Sequence, residues 1–102
     1  MKLLRVIHAK NPKKKWRAEF SDGKAVEFGA TGYTDFTLSK DKAQRDRYRA
    51  RHAKDLLVDD PVTPAFLSYY ILWGESTDMG RNIATYKRMF NLWLLIEKNR
   101  IK

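Results

Sequence analysis

The chain has 102 residues, of which 43% are hydrophobic, 13% aromatic and 32% charged, with 21 Lys and Arg against 12 Asp and Glu for a net charge of +9. That length suits one modest core, and the composition is that of a folded globule rather than a disordered tail. The absence of cysteine excludes disulfides, thiolate metal sites and cysteine nucleophiles, and accords with a reducing compartment.

The first strand is expected over Leu3 to Ala9, with Leu4, Val6 and His8 on one face and Leu3, Arg5 and Ile7 on the other. Asn11-Pro12 and the three lysines after it predict an exposed turn. Trp16, Ala18 and Phe20 alternate with Arg17 and Glu19, and Val26 and Phe28 alternate in the next strand. A two-residue Asp22-Gly23 loop would set Ala18 opposite Glu27 and mix the faces. A three-residue Ser21-Asp22-Gly23 loop sets Trp16 opposite Phe28 and Ala18 opposite Val26. Register follows the buried face, so the longer loop is expected, with Gly23 in the left-handed conformation.

Gly29 and Gly32 lie in the loop leading through Tyr33 to Asp35-Phe36-Thr37. Ser39 is the expected N-cap of a basic helix running from Lys40 to about Lys54, with Asp41 in its first turn and a thin apolar stripe of Ala43, Ala50, Ala53 and Leu57. Asp59-Asp60-Pro61 breaks the chain. Thr63-Pro64 then supplies an N-cap and a first-turn proline for a helix that is almost wholly apolar from Ala65 to Trp73, the expected centre of the core, ended by Gly74. Ser76 or Thr77 caps a last helix in which Met79, Ile83, Tyr86 and Phe90 recur at amphipathic spacing, and Leu92 to Ile96 either extends it or forms a final strand, the helix being favoured.

These elements predict an α+β fold in one domain, 1–102: a small N-terminal antiparallel sheet of about three strands packed against about three helices. The expected divisions are a β-meander at 1–29, a loop at 30–39, a basic helix at 40–57, and core helices and a tail at 63–102. Trp73, Leu72, Phe66, Phe90, Ile83, Phe28 and Trp16 are the expected buried cluster.

The positive charge is clustered. Residues 10–17 carry +5, residues 40–54 carry +5 and residues 81–102 carry +5, while 18–39 and 55–80 are net acidic. Concentrated positive potential attracts a polyanion, whereas diffuse charge only aids solubility. On the basic helix Lys42, Arg45, Arg49 and His52 form one stripe, with Arg45 and Arg49 expected to be exposed. The guanidinium fork suits phosphate oxygens, and a second basic group lies at Lys13, Lys14 and Lys15. A charge run is usually only a solvated face. The coincidence of two clusters favours binding, and these seven residues are the expected nucleic-acid contacts. Tyr33 and Tyr48 are held open for base stacking, while Trp16 is assigned to the core.

Other chemistry finds little support. Gly29-x-x-Gly32 lacks the Lys-Ser/Thr of a phosphate-binding loop and is expected to be a structural turn. His8 and His52 are not at metal-ligand spacing, and Asp22, Asp59 and Asp60 have turn roles. No nucleophile set or carboxylate pair can be argued. Neither an enzyme, a cofactor, a metal nor a small-molecule substrate is expected. The N-terminal apolar run is too short for a signal peptide, and the longest apolar stretches fall well short of a membrane span, so a soluble intracellular protein is expected.

Four stretches, FGATGYTDFT (Phe28 to Thr37), RDRYRARH (Arg45 to His52), DPVTPAFLSYYILWG (Asp60 to Gly74) and YKRMF (Tyr86 to Phe90), together carry a family resemblance. They are similar to small basic proteins of uncharacterised function encoded by the nucleocytoplasmic large DNA viruses, the giant viruses, over about residues 16 to 91. The resemblance implies a viral protein carried in the virion and met in the host cytoplasm or nucleus during assembly. Two anionic partners follow: nucleic acid, with DNA foremost, or the acidic surface of viral capsid proteins. The expectation is a non-enzymatic virion protein that binds nucleic acid through backbone phosphates, with a minor capsid or cement role as the alternative and a basic accessory factor for replication or transcription third.

Overall fold

The computed structural model of the chain describes residues 1–100. Its architecture is α+β: an antiparallel sheet in the order β1 (Leu3–His8), β2 (Lys14–Phe20), β3 (Ala25–Ala30), followed by helices that cover one face of it. The β2–β3 register pairs Trp16 with Phe28 and Ala18 with Val26. The loop is Ser21-Asp22-Gly23, closed by Phe20 N donating to Lys24 O at 2.9 Å, with Gly23 at φ 92°. Strict alternation on two facing strands left one register that buries both aromatic sets, and the hairpin adopts it.

The first strand departs from expectation. Its pairing shifts between Leu3 and Arg5, so Leu3 pairs with Phe20 and Val6 with Ala18. The bulge turns Leu3 inward, where it is buried, and leaves Leu4 exposed, reversing the predicted faces at the strand's start. The outer face carries a row of charges. Arg5 and Arg17 both bond to Glu19, and Arg17 also reaches Glu27 at 3.6 Å. Those two arginines hold the Glu19 carboxyl below the usual carboxylate range. Glu27 is lowered chiefly by accepting from the backbone N–H of Lys10, which fixes the end of β1.

The segment expected as loop 30–39 contains a turn of helix, α1 (Phe36–Ser39), capped by Asp35 and closed by Lys40 in the left-handed conformation. Ser39 therefore ends one helix instead of starting the next. Asp41 is the N-cap of α2 (Lys42–His52), its side chain accepting from Gln44 N at 3.2 Å. The predicted helix to residue 54 stops at His52, and a 3-10 segment continues over Ala53–Val58 until Asp59 turns left-handed.

The core helix begins as anticipated. Thr63 caps α3 (Pro64–Leu67), and the chain continues as one wide π-turn over Ser68–Leu72. Gly74 ends it through close approach: a Cβ there would collide with Tyr70 O and lie 2.7 Å from the Asn82 side chain. Asn82 is buried on α4 (Met79–Arg100), donating to Ile71 O and Ser76 O and accepting from Ser76 N. It ties the end of the π-turn to the last helix. The cap of α4 is Asp78, accepting from Gly80 and Arg81 N, in place of Ser76 or Thr77. Ser76 instead steadies Asp78, its hydroxyl accepting from Asp78 N. Leu92 to Ile96 extends α4 as expected, and the tail reading beyond Arg100 lies outside the described residues.

The core joins Leu3, Ala18, Phe20 and Phe28 of the sheet to Phe36, Leu67, Ile71, Leu72, Trp73, Tyr86 and Phe90. Of the predicted cluster, Trp73, Leu72, Phe90 and Phe28 are in it, Trp16 and Ile83 pack half-buried against it, and Phe66 is buried beside Tyr70. Tyr86 is fully buried, its hydroxyl donating to Pro61 O at 2.6 Å, and burial pushes its ionisation well above the ordinary tyrosine range.

The two glycines that end elements separate two kinds of strain. Gly23→Ala meets no atom within 4 Å, so only its left-handed backbone is penalised, at about 1 kcal/mol. Gly74→Ala forces a methyl into backbone and amide, and should cost about 3 kcal/mol or more. Urea unfolding of both variants checks this, and equal losses would contradict the close-packing account of Gly74.

Candidate nucleic-acid interface

A cleft of about 370 Å³ lies between the start of β2, the loop after β3, helix α2 and the π-turn. Lys15, Tyr33, Asp35, Gln44, Tyr48 and Arg51 line it, with Ser68, Leu72 and Trp73 on the far wall. An ion pair stands at its edge. Lys15 Nζ lies 2.8 Å from Asp35 Oδ2, with side chains 16% and 3% exposed. The other oxygen of Asp35 accepts from Thr37 N at 2.9 Å and takes the Thr37 hydroxyl. Lys15 is thus half-buried and paired, whereas the sequence predicts it in an exposed turn. Lys13 and Lys14 are exposed.

Helix α2 lies on the body by a face that its apolar residues did not indicate. Ala43, Ala50, Ala53 and Leu57 are all exposed, Leu57 at 83%. The residues turned inward are Gln44, Arg45, Tyr48, Arg49 and His52, spaced as one helical face. Tyr48 stacks on Trp73 with centroids 4.3 Å apart and planes 9° from parallel, and on His52 at 4.2 Å. Two rings this near and this parallel must occupy opposite faces, so neither face of Tyr48 is open to a base. Burial pushes the ionisation of its hydroxyl above the ordinary tyrosine range, helped by the charge of Asp55. His52 also contacts Asp55 through Nδ1 at 2.8 Å.

Arg45 and Arg49, expected in solvent, serve the same packing. The Arg45 guanidinium sits 4.8 Å from the centroid of the Phe36 ring, donates to Glu75 O at 3.2 Å and pairs with Asp46 at 3.0 Å. Arg49 lies over Tyr69 at 4.5 Å, and its Nε is buried without a hydrogen-bond partner among the described residues. A hydropathy pattern scores arginine as polar, yet its stem and flat guanidinium pack on rings as readily as an apolar side chain does. The stripe chosen from sequence therefore splits. Lys42 is exposed, while Arg45, Arg49 and His52 are half-buried and engaged.

The exposed bases of this helix are Lys42, Arg47 and Arg51, with Lys54 just beyond its end. Arg47, Arg51 and Lys54 recur at i, i+4 and i+7, a spacing as regular as that of the stripe predicted, and only the contacts of Tyr48 distinguish the two. Arg51 enters the wall of the cleft. Across from it, Ala30 pairs with Lys14, and Thr31 N donates to Lys13 O at 3.0 Å, so the lysine turn borders the same loop. One exposed base of α2, Arg51, thus lines the cleft, and the lysine turn is held by backbone bonds to the loop that forms its other side. Tyr33, at 74% exposure, stands on its rim.

Among the described residues no group of three or more His, Asp or Glu side chains could hold a metal ion, and no helix is long and apolar enough to cross a membrane. Residues 4–52 match the model of a family of unknown function, DUF5754. That span contains every sequence-predicted contact residue and Arg47 and Arg51, while Lys54, Ser68 and Trp73 lie beyond it. No curated protein and no solved structure gives a significant match to the chain.

The division of the arginines is measurable as stability. Arg45→Ala and Arg49→Ala should each cost about 1–2 kcal/mol through the lost ring contacts, while Arg47→Ala should change stability by less than about 0.5 kcal/mol. Chemical denaturation checks it. Three equal values would contradict the inward orientation of the helix.

Proposed function

We propose that this protein binds nucleic acid through backbone phosphates, without catalysis. The observation that carries the reading is that exposed bases with no acidic partner among the described residues come from two distant segments that meet at one cleft: Arg51 lines it with Arg47 and Lys54 at helical spacing beside it, and the turn of Lys13 and Lys14 is bonded to its loop at Ala30 and Thr31. Asp35, the only acid among the described residues lining that cleft, is already matched by Lys15. Long exposed bases without a groove-docking element position a protein on the backbone and read little sequence. The viral resemblance makes the packaged genome the natural substrate and DNA the first ligand to test.

A second reading has its own observation. On α4 Leu92, Leu95 and Ile96 are 60%, 59% and 49% exposed at helical spacing, an apolar stripe of the kind that meets another protein. It supports the minor capsid role in the same virion context.

Salt dependence distinguishes the two. With about five phosphates neutralised, the slope of log K against log salt for duplex DNA should be about −4.5. The double variant Arg47→Ala/Arg51→Ala should make it shallower by about two and weaken all sequences alike, and Arg45→Ala/Arg49→Ala should lower stability first. Fluorescence anisotropy across a salt series measures both. A folded protein that ignores DNA at low salt and holds capsid protein at high salt would refute the nucleic-acid reading and favour the capsid one.

A further inference from the structure

We infer that the cleft receives an unpaired base, making the protein selective for single-stranded nucleic acid; this deepens the nucleic-acid reading and rests on it. A volume of about 370 Å³ is at the lower end for a ligand site and suits one nucleotide unit. A paired base is shielded within its duplex and could reach the interior only by leaving the stack. A duplex would contact the basic rim alone, whereas a single strand could use both rim and interior.

The lining has the three group types that such a guest needs. Tyr33 offers a stacking surface. It makes no ring contact among the described residues, in contrast to Tyr48, and its loop is anchored by Thr31, which bonds to Lys13 O and Pro12 O. The Gln44 amide and Ser68 hydroxyl line the wall and make no side-chain hydrogen bond within the described residues, so both remain available to the edge of a base. Arg51 has no acidic partner within 4.0 Å among the described residues and stands where the attached phosphate would run. Stacking, edge recognition and phosphate contact converge on a single strand, because stacked bases along a charged groove are how unpaired nucleic acid is held.

The test compares a thymidine dodecamer, an abasic dodecamer and a duplex of equal length by anisotropy at one salt concentration, with the full chain and its Tyr33→Ala and Tyr33→Trp variants. The wild type should bind the thymidine strand about tenfold or more tighter than the abasic strand, and tighter than the duplex. Tyr33→Ala should remove most of that advantage while leaving the abasic strand and duplex unchanged, and Tyr33→Trp should keep it. Since Tyr33 is exposed, the unfolding midpoint should not move. Equal binding of all three ligands, or a thymidine affinity indifferent to Tyr33→Ala, overturns the base-in-cleft inference and leaves the phosphate reading standing. Failure to bind any ligand at low salt overturns both.

Discussion

The Lys15–Asp35 pair is the contact on which the arrangement of sheet, loop and basic helix depends. One carboxylate begins α1 by accepting from Thr37 N and receives the ammonium of a lysine from β2. A buried carboxylate left alone is strongly destabilising, so strand and loop must come together for either to be satisfied. The consequences run along the chain. Asp35 places Phe36, Phe36 lies under Arg45, and three residues further Tyr48 meets Trp73. The orientation of α2, and hence which of its bases reach water, follows from a contact made outside that helix.

This explains what could and could not be read from the residues. The β2–β3 hairpin was legible because Trp16, Ala18, Phe20, Val26 and Phe28 alternate without exception, and only one loop length keeps them on one face. The face of α4 was legible because Met79, Ile83, Tyr86 and Phe90 keep helical spacing. The inward face of α2 was not. Its apolar residues are mostly alanines, too small to anchor a helix, and the anchoring is done by one tyrosine and two guanidinium groups whose partners lie elsewhere in the sequence. The bulge at Leu4 was hidden for a similar reason: a strand with Leu3, Leu4, Val6 and Ile7 has apolar residues for either face, and pairing alone decides.

The centre of the molecule follows the same division between pattern and partner. That Phe66 to Trp73 would be buried is evident from composition, but the π-turn it contains leaves the Ile71 carbonyl to be met by the Asn82 amide from α4. A buried polar group must be satisfied, and here the satisfier is eleven residues away on another element. Gly74 belongs to the same arrangement, since any side chain there would displace the amide that completes it. A single buried asparagine thus holds a helix end that the sequence marked only by its glycine.

Charge is partitioned just as unevenly as packing. On the outer face of the sheet Arg5, Glu19, Arg17 and Glu27 neutralise one another, so that surface has little to offer a polyanion despite its arginines. On α2 Arg45 is taken up by Asp46 and the Glu75 carbonyl, and Arg49 covers a ring. What is left exposed is concentrated at the lysine turn, along the outer side of α2, and on α4 at Arg81, Lys87, Arg88 and Lys98. A net charge of +9 therefore does not coat the molecule evenly. Arg51 lines a cleft whose own acid, Asp35, is paired with Lys15, and the lysine turn is bonded to the loop beside it, so the placement of the charge matters more than its total.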